Sequence, residues 1–171
     1  MFRAQSISTQ FLVAACVAIL MLTCAVMAQD NALRKDFEAL YTKRDKAFKG
    51  KDADFINSLL AEDYTSKDND GKLMNRAQTV EKNNSAFAAI KEVISVVTKI
   101  ESVRQGKDGS EAVVETSDAV KLSFTGADGQ PHLYDGAEKL RETWVLAEAG
   151  WKLKYTELLE SKATIDGKPM K

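Results

Sequence analysis

The stretch ETWVLAEAGWKLKYTELLE, residues 142–160, decides how the chain is read. Two alternating runs meet at Ala149-Gly150, and each carries one of the chain's two tryptophans, Trp144 and Trp151. Alternation with a period of two on both sides of a Gly turn is the pattern of an antiparallel hairpin with one covered face. The same period extends upstream. Ile94, Val96, Thr98 and Ile100 share one face of a first long strand, and Gly106 to Gly109 reads as a turn. Ala112, Val114, Thr116, Asp118, Val120, Leu122 and Phe124 share a face of the next strand, and a turn around Gly126 to Gly129 leads into the strand through Glu142, Trp144 and Leu146. Trp151, Leu153 and Tyr155 complete the meander. The opposite face carries Val93, Val97, Val103, Val113 and Val145 among Lys, Glu, Ser and Thr, a half-apolar surface that suits either solvent or a homodimer interface.

Before Glu92 the period is helical. Leu33, Phe37, Leu40, Tyr41, Ala47 and Phe48 form a stripe that Gly50 is expected to end. Asp52 is placed to cap a short helix bearing Phe55, Ile56, Leu59 and Leu60. DYTSKDNDGKLMN reads as a strand, a turn at Asn69-Asp70-Gly71 and an extended return. Asn75 with Gln78 resembles a capping pair opening a third helix to about Lys91, with Ala77, Val80, Phe87 and Ile90 on one side. Helices first and long strands afterwards make an α+β domain whose helices cover one face of the sheet.

Residues 1–28 read as a secretory signal: Arg3 is their only charge, Phe11 to Ala28 is apolar apart from Thr23, and Val26-Met27-Ala28 is a small-residue cleavage site. An uncleaved anchor and a lipoprotein leader at Cys16 or Cys24 are the rival readings. Residues 29–171 are expected to be one exported domain, secreted or periplasmic, clear of the membrane once the signal is cut. With 24 basic and 25 acidic residues of mixed order, the chain offers no electrostatic footprint for nucleic acid. Both cysteines lie in the leader, so the rest has neither a disulfide nor a thiolate. One histidine, His132 in GADGQPHLYDG, is too few for the usual zinc sites and reads as a solvated loop residue. No cofactor motif is present, so no cofactor is expected. SKDNDGK fails as a calcium loop, because Ser66 and Ala77 stand where the first and last acids belong.

KGKDADFINSLLAEDYTSKDNDGKLMNRAQTVE and RETWVLAEAGWKLKYTE resemble the opening and the closing hairpin of the nuclear-transport-factor-2-like superfamily, which includes ketosteroid isomerases and SnoaL-like domains. The resemblance covers nearly all of residues 31–163. It implies a cone, a curved antiparallel sheet wrapped around the amino-terminal helices with a cavity between them. Trp144, Trp151 and Tyr155 are then expected to line or close the cone, and Tyr64, after Asp63, to face the cavity. The resemblance also implies acid–base chemistry by a carboxylate in an apolar cavity, where burial poises its pKa near neutrality. By strand parity that carboxylate is Asp118. Glu142 and Glu157 share the inward parity but are expected at the rim or surface. No counterpart of the isomerases' tyrosine and two acids is found beyond Asp118, which argues against isomerase activity. Three functions remain: a non-catalytic module for a small apolar or weakly acidic ligand, an acid–base enzyme using Asp118 with Tyr155 or Tyr64, and a structural dimeric subunit with a filled cone.

Overall fold

The computed structural model describes residues 31–68 and 70–170, so the leader expected over residues 1–28 lies outside them, as does Asn69 of the expected turn. Residues 31–49 are helical and are called α1. Its stripe is buried as the spacing predicts, with Leu33, Phe37 and Tyr41 in the core and Phe48 packed further along. The helix stops at Gly50, but the residue in the left-handed region is Lys51, at φ 57. Its ammonium donates to the Ile90 carbonyl at 3.1 Å, which ties the helix end to the sheet. Asp52 accepts from the Phe55 amide at 2.9 Å and opens α2, Ala53–Ser58.

A hairpin of β1 (Leu60–Lys67) and β2 (Leu73–Asn75) follows. Asp68 Oδ1 accepts from the Asp70 and Lys72 amides, and Gly71, at φ 78, supplies the turn. The expected reciprocal cap between Asn75 and Gln78 opens α3, Arg76–Ala89. Phe87 is buried on α3 and Val80 packs on the core, but Ala77 is exposed, so the buried stripe is narrower than its apolar residues suggest.

Four long strands complete the chain: β3 (Ile90–Gln105), β4 (Glu111–Thr125), β5 (Pro131–Ala147) and β6 (Gly150–Ile165), with a short β7 (Lys168–Pro169) beyond. They form one curved, unclosed sheet in the order β2-β1-β6-β5-β4-β3, with β7 on β6. The sheet is mixed rather than antiparallel throughout, because β6 returns beside β1 in the same direction.

Bulges bend the long strands and also reverse several side chains. The register of β3 against β4 shifts after Ile90, Val93 and Ile100. Each extra residue exchanges the two faces beyond it. Ile94, expected inward, is therefore 45% exposed, whereas Val93, expected outward, is 6% exposed, and Val103 packs against the core. On β6, Leu153 pairs with Trp144 but Tyr155 pairs with Thr143, so Lys154 is the extra residue and Tyr155 turns to the outer face. Glu157 follows it outward, where it pairs with Arg141 at 3.1 Å and Lys67 at 3.3 Å. Across β4 and β5 the register runs without a shift, and the parity read from the sequence holds there, although Leu146, expected inward, lies beyond the core at the end of β5 and is 55% exposed.

The concave side buries two apolar clusters. One gathers Phe37, Tyr41, Leu59, Leu60, Tyr64, Val114, Trp144 and Leu153, with Trp151 against it. The other gathers Phe87, Ile90, Val93 and Leu122, with Phe48, Ile56, Val96, Val120, Phe124 and Tyr134. Helix α1 runs from the first to the second.

Candidate functional site

Between the two clusters α1 presents a charge. Leu33, Phe37, Tyr41, Arg44 and Phe48 follow one another at helical spacing, so Arg44 stands on the buried stripe. Its Nη1 donates to Glu142 Oε1 at 2.9 Å, and its Nη2 donates to Asp118 Oδ2 at 2.8 Å and Thr98 Oγ1 at 3.1 Å. Burial opposes the guanidinium charge, but Glu142 and Asp118, with Tyr41 and Asp45, outweigh it and hold the Arg44 pKa above its ordinary value. The ring of Tyr41 lies 4.3 Å beneath it.

Glu142 was expected at a rim, yet it is 2% exposed. Val114 opposite it and the unshifted β4–β5 register place it squarely inward. The burial is tolerable because its acceptors are satisfied. Tyr41 donates its hydroxyl to Oε2, and Trp144 Nε1 is shared between that oxygen at 3.3 Å and the tyrosine hydroxyl at 3.2 Å. Burial first, then the Glu142 charge, pushes the Tyr41 pKa far up, so the phenol stays a donor. Asp45 completes the layer, accepting from the Thr98 amide and hydroxyl at 2.9 and 2.8 Å.

Below this polar layer the first apolar cluster packs around Trp144 and Phe37, and above it lies a cavity of about 780 Å³. The cavity wall is chiefly apolar: Phe48, Ile56, Phe87, Val96, Val120, Leu122 and Phe124, with Ile165 and Met170. Asp118 lines it at the polar layer. Burial raises the Asp118 pKa to about 6, opposed by Arg44 and assisted by Glu142. The Thr116 hydroxyl is near enough to lower it slightly but forms no well-aligned bond, and Asp118 Oδ1 has no hydrogen-bond partner. Glu138 and Tyr134 follow on the same inward face of β5, across from Asp118 and Leu122. The Tyr134 ring folds over Gly136, where a Cβ would collide with it. Burial raises the pKa of both Glu138 and Tyr134.

Of the residues expected to form a site, Asp118 lines this cavity. Trp144 is fully buried beside Tyr41 and Phe37, Tyr64 packs in the same cluster, and Trp151 closes the hairpin end 5.2 Å from Phe37. These three belong to the filled end of the cone, because each ring finds apolar partners there. Tyr155 is on the outer face, for the register reason given above. Sequence reasoning missed Arg44, Tyr41, Glu138 and Tyr134. A cation recurring at the fourth step of an apolar helical stripe was the available signal for Arg44. Among the described residues, no group of three or more His, Cys, Asp or Glu side chains is placed to hold a metal ion, and no helix is long and apolar enough to cross a membrane.

No protein-family description matches the sequence, and no curated protein matches it significantly. Solved structures do match, and the architecture they share with this chain is the nuclear-transport-factor-2-like fold. A nuclear-transport-factor-2-like protein from Cytophaga hutchinsonii is 18% identical, with a TM-score of 0.58 over 73% of this chain and 95% of its own. A proposed scytalone dehydratase from Novosphingobium aromaticivorans is 15% identical, with a TM-score of 0.64 over 80% of this chain and 90% of its own. A nuclear-transport-factor-2-like protein of unknown function in nutrient uptake, from Rhodospirillum rubrum, is 19% identical, with a TM-score of 0.56 over 70% and 94%. At these identities the likeness is one of fold.

Proposed function

We propose that the protein is an exported, non-catalytic binding module whose cone holds a small, mainly apolar ligand with a polar end. The observation that carries this reading is the cavity of about 780 Å³, chiefly apolar on its walls, with polar groups at Arg44, Asp45, Thr98 and Asp118 of the polar layer, at Glu138 and Tyr134 of β5, and at Lys82 and Asn83 of α3. That pattern, an apolar lining with a few placed polar groups, is that of small-molecule sites generally. Export is supported by the apolar leader with its single basic residue, Arg3, and the small-residue site at Val26-Met27-Ala28. Mass spectrometry of material that co-purifies with the full chain, followed by a thermal-shift screen, tests the reading. A bound apolar molecule should raise the melting temperature, and Val120→Trp, which thrusts an indole into the cavity, should diminish the rise. A shift undiminished in Val120→Trp would place the ligand elsewhere and defeat it.

A second reading, acid–base catalysis, is favoured by one feature: Asp118 lines the cavity and has a pKa of about 6, although its unpartnered Oδ1 is itself buried and would have to turn outward to reach a substrate. The fold-neighbour named for a dehydratase is consistent with this, by analogy of fold only. Turnover of a captured ligand that Asp118→Asn abolishes, with binding retained, would replace the first reading by the second.

A further inference from the structure

We propose that the ligand's polar end is a hydrogen-bond donor, best an ammonium, received by Glu138, and that the cavity rejects carboxylic acids of the same skeleton. This rests on the binding reading above and deepens it. The lining groups differ in how much hydrogen-bonding capacity each has left. Among the described lining residues the cations are Arg44 and Lys82. Arg44 places three of its five N–H donors on Glu142, Asp118 and Thr98, and two carboxylates already meet its charge, so an incoming anion would have to compete with them for it. Lys82 is exposed on α3, at the solvent side, and acts on Glu138 by charge alone.

The acceptors divide differently. Asp45 has both oxygens taken by Thr98. Asp118 has one oxygen on Arg44 and one without a partner. Glu138 accepts no hydrogen bond from any described residue, although it is half-buried in the cavity wall and burial raises its pKa. The unshifted register sets Glu138 directly across from Asp118, and the Asp118 carboxylate turns to Arg44 on α1. That leaves the Glu138 head as the open acceptor above the polar layer. A half-buried carboxylate without a donor is unfavourable, and a ligand N–H or O–H corrects it. A ligand carboxylate would instead be desolvated beside Asp118 and Glu138, and the lining cation that forms no ion pair among the described residues, Lys82, stands exposed on α3, where solvent screens its charge. A weakly acidic hydroxyl, which donates, remains admissible.

Titration calorimetry of the full chain with phenylbutylamine, phenylbutanol and phenylbutanoic acid tests this, since the three share a skeleton and differ in the polar end. The amine should bind about tenfold or more tighter than the alcohol, because its bond to the carboxylate is charge-assisted, and the acid weakest of all. Glu138→Gln should remove the amine's advantage over the alcohol while leaving alcohol binding in place. An acid that binds as well as the amine, or an amine preference unchanged in Glu138→Gln, overturns the inference while leaving the binding module standing. Binding of none of the three overturns both. The wild-type ranking is decisive by itself should Glu138→Gln fold poorly.

Discussion

Asp118 is drawn toward its charged form by Arg44 and away from it by burial, and burial wins, leaving a pKa of about 6. The folded chain therefore holds this proton more tightly than the unfolded chain does. The sign of the pH dependence follows: stability is lost as pH rises from about 4 through about 6, by at most about 3 kcal/mol. Asp118→Asn removes that ionisation. In thermal melts the variant's stability relative to wild type should rise between acid and neutral pH, and a flat or falling difference would refute the assignment. Arg44 is the opposite case, a buried cation between two carboxylates. Arg44→Met leaves Glu142 and Asp118 without their partner and should cost about 3–5 kcal/mol in denaturant unfolding. It should also drive the Asp118 pKa higher still, which carboxyl carbon shifts in an NMR titration would register.

At the scale of the element, the chain's stop and start signals are local chemistry, and they were legible. Asp52, the Asn75–Gln78 box and the glycine turns act through backbone amides a few residues away, so no knowledge of the tertiary structure was needed to place them. The box also holds the start of a cavity wall, since Lys82, Asn83, Ala86 and Phe87 of α3 line the space. Asn75→Ala should cost about 0.5–2 kcal/mol in thermal unfolding. It should also speed amide exchange in the first turn of α3 with little effect in β4, and uniform acceleration would deny the helix this local role. The strands were legible where the register is continuous, which is why the inward parity of Asp118 was read correctly on β4. They were not legible where an extra residue enters. Nothing in the sequence around Ile94 or Lys154 distinguishes a bulge from regular alternation, because the bulge answers to the bend of the whole sheet. Ile94, Val93, Val103 and Tyr155 were misplaced for that one reason, whereas Glu157 lies at the surface as expected, turned there by the same bulge. Glu142 was misjudged differently. A glutamate near a strand end is ordinarily solvated, and only the meeting of Tyr41, Arg44 and Trp144 from distant parts of the chain makes its burial tolerable.

For the molecule as a whole, the open end of the cone depends on the last residues of the chain being held against the sheet. Ile165 and Met170 line the cavity, and the turn between β6 and β7 that joins them contains Asp166. His132, expected in a solvated loop, is instead the second residue of β5 and a clamp on that turn. Its Nδ1 lies 2.7 Å from Asp166 Oδ2, its Nε2 lies 3.1 Å from Asp128 in the β4–β5 turn, and its ring packs on Phe124. The Asp166 and Asp128 bonds raise the His132 pKa, and Lys168 is the remaining charge beside Asp166. A histidine whose pKa is raised by folding adds stability below the imidazole's ordinary value, about 6.5, and that contribution is lost as pH climbs through the higher folded value. Asp166 keeps its bond from the Leu133 amide at either pH, so the turn should loosen rather than detach. The expected observation is amide exchange at Met170, corrected for its intrinsic pH dependence, that quickens as pH rises above the imidazole's ordinary value and the ring discharges. His132→Phe retains a ring against Phe124 but no charge, and its corrected exchange should be pH-independent and fast throughout. If wild type and His132→Phe follow the same pH course, the cavity's outer wall is held by β6–β7 pairing alone and the clamp has no part in it.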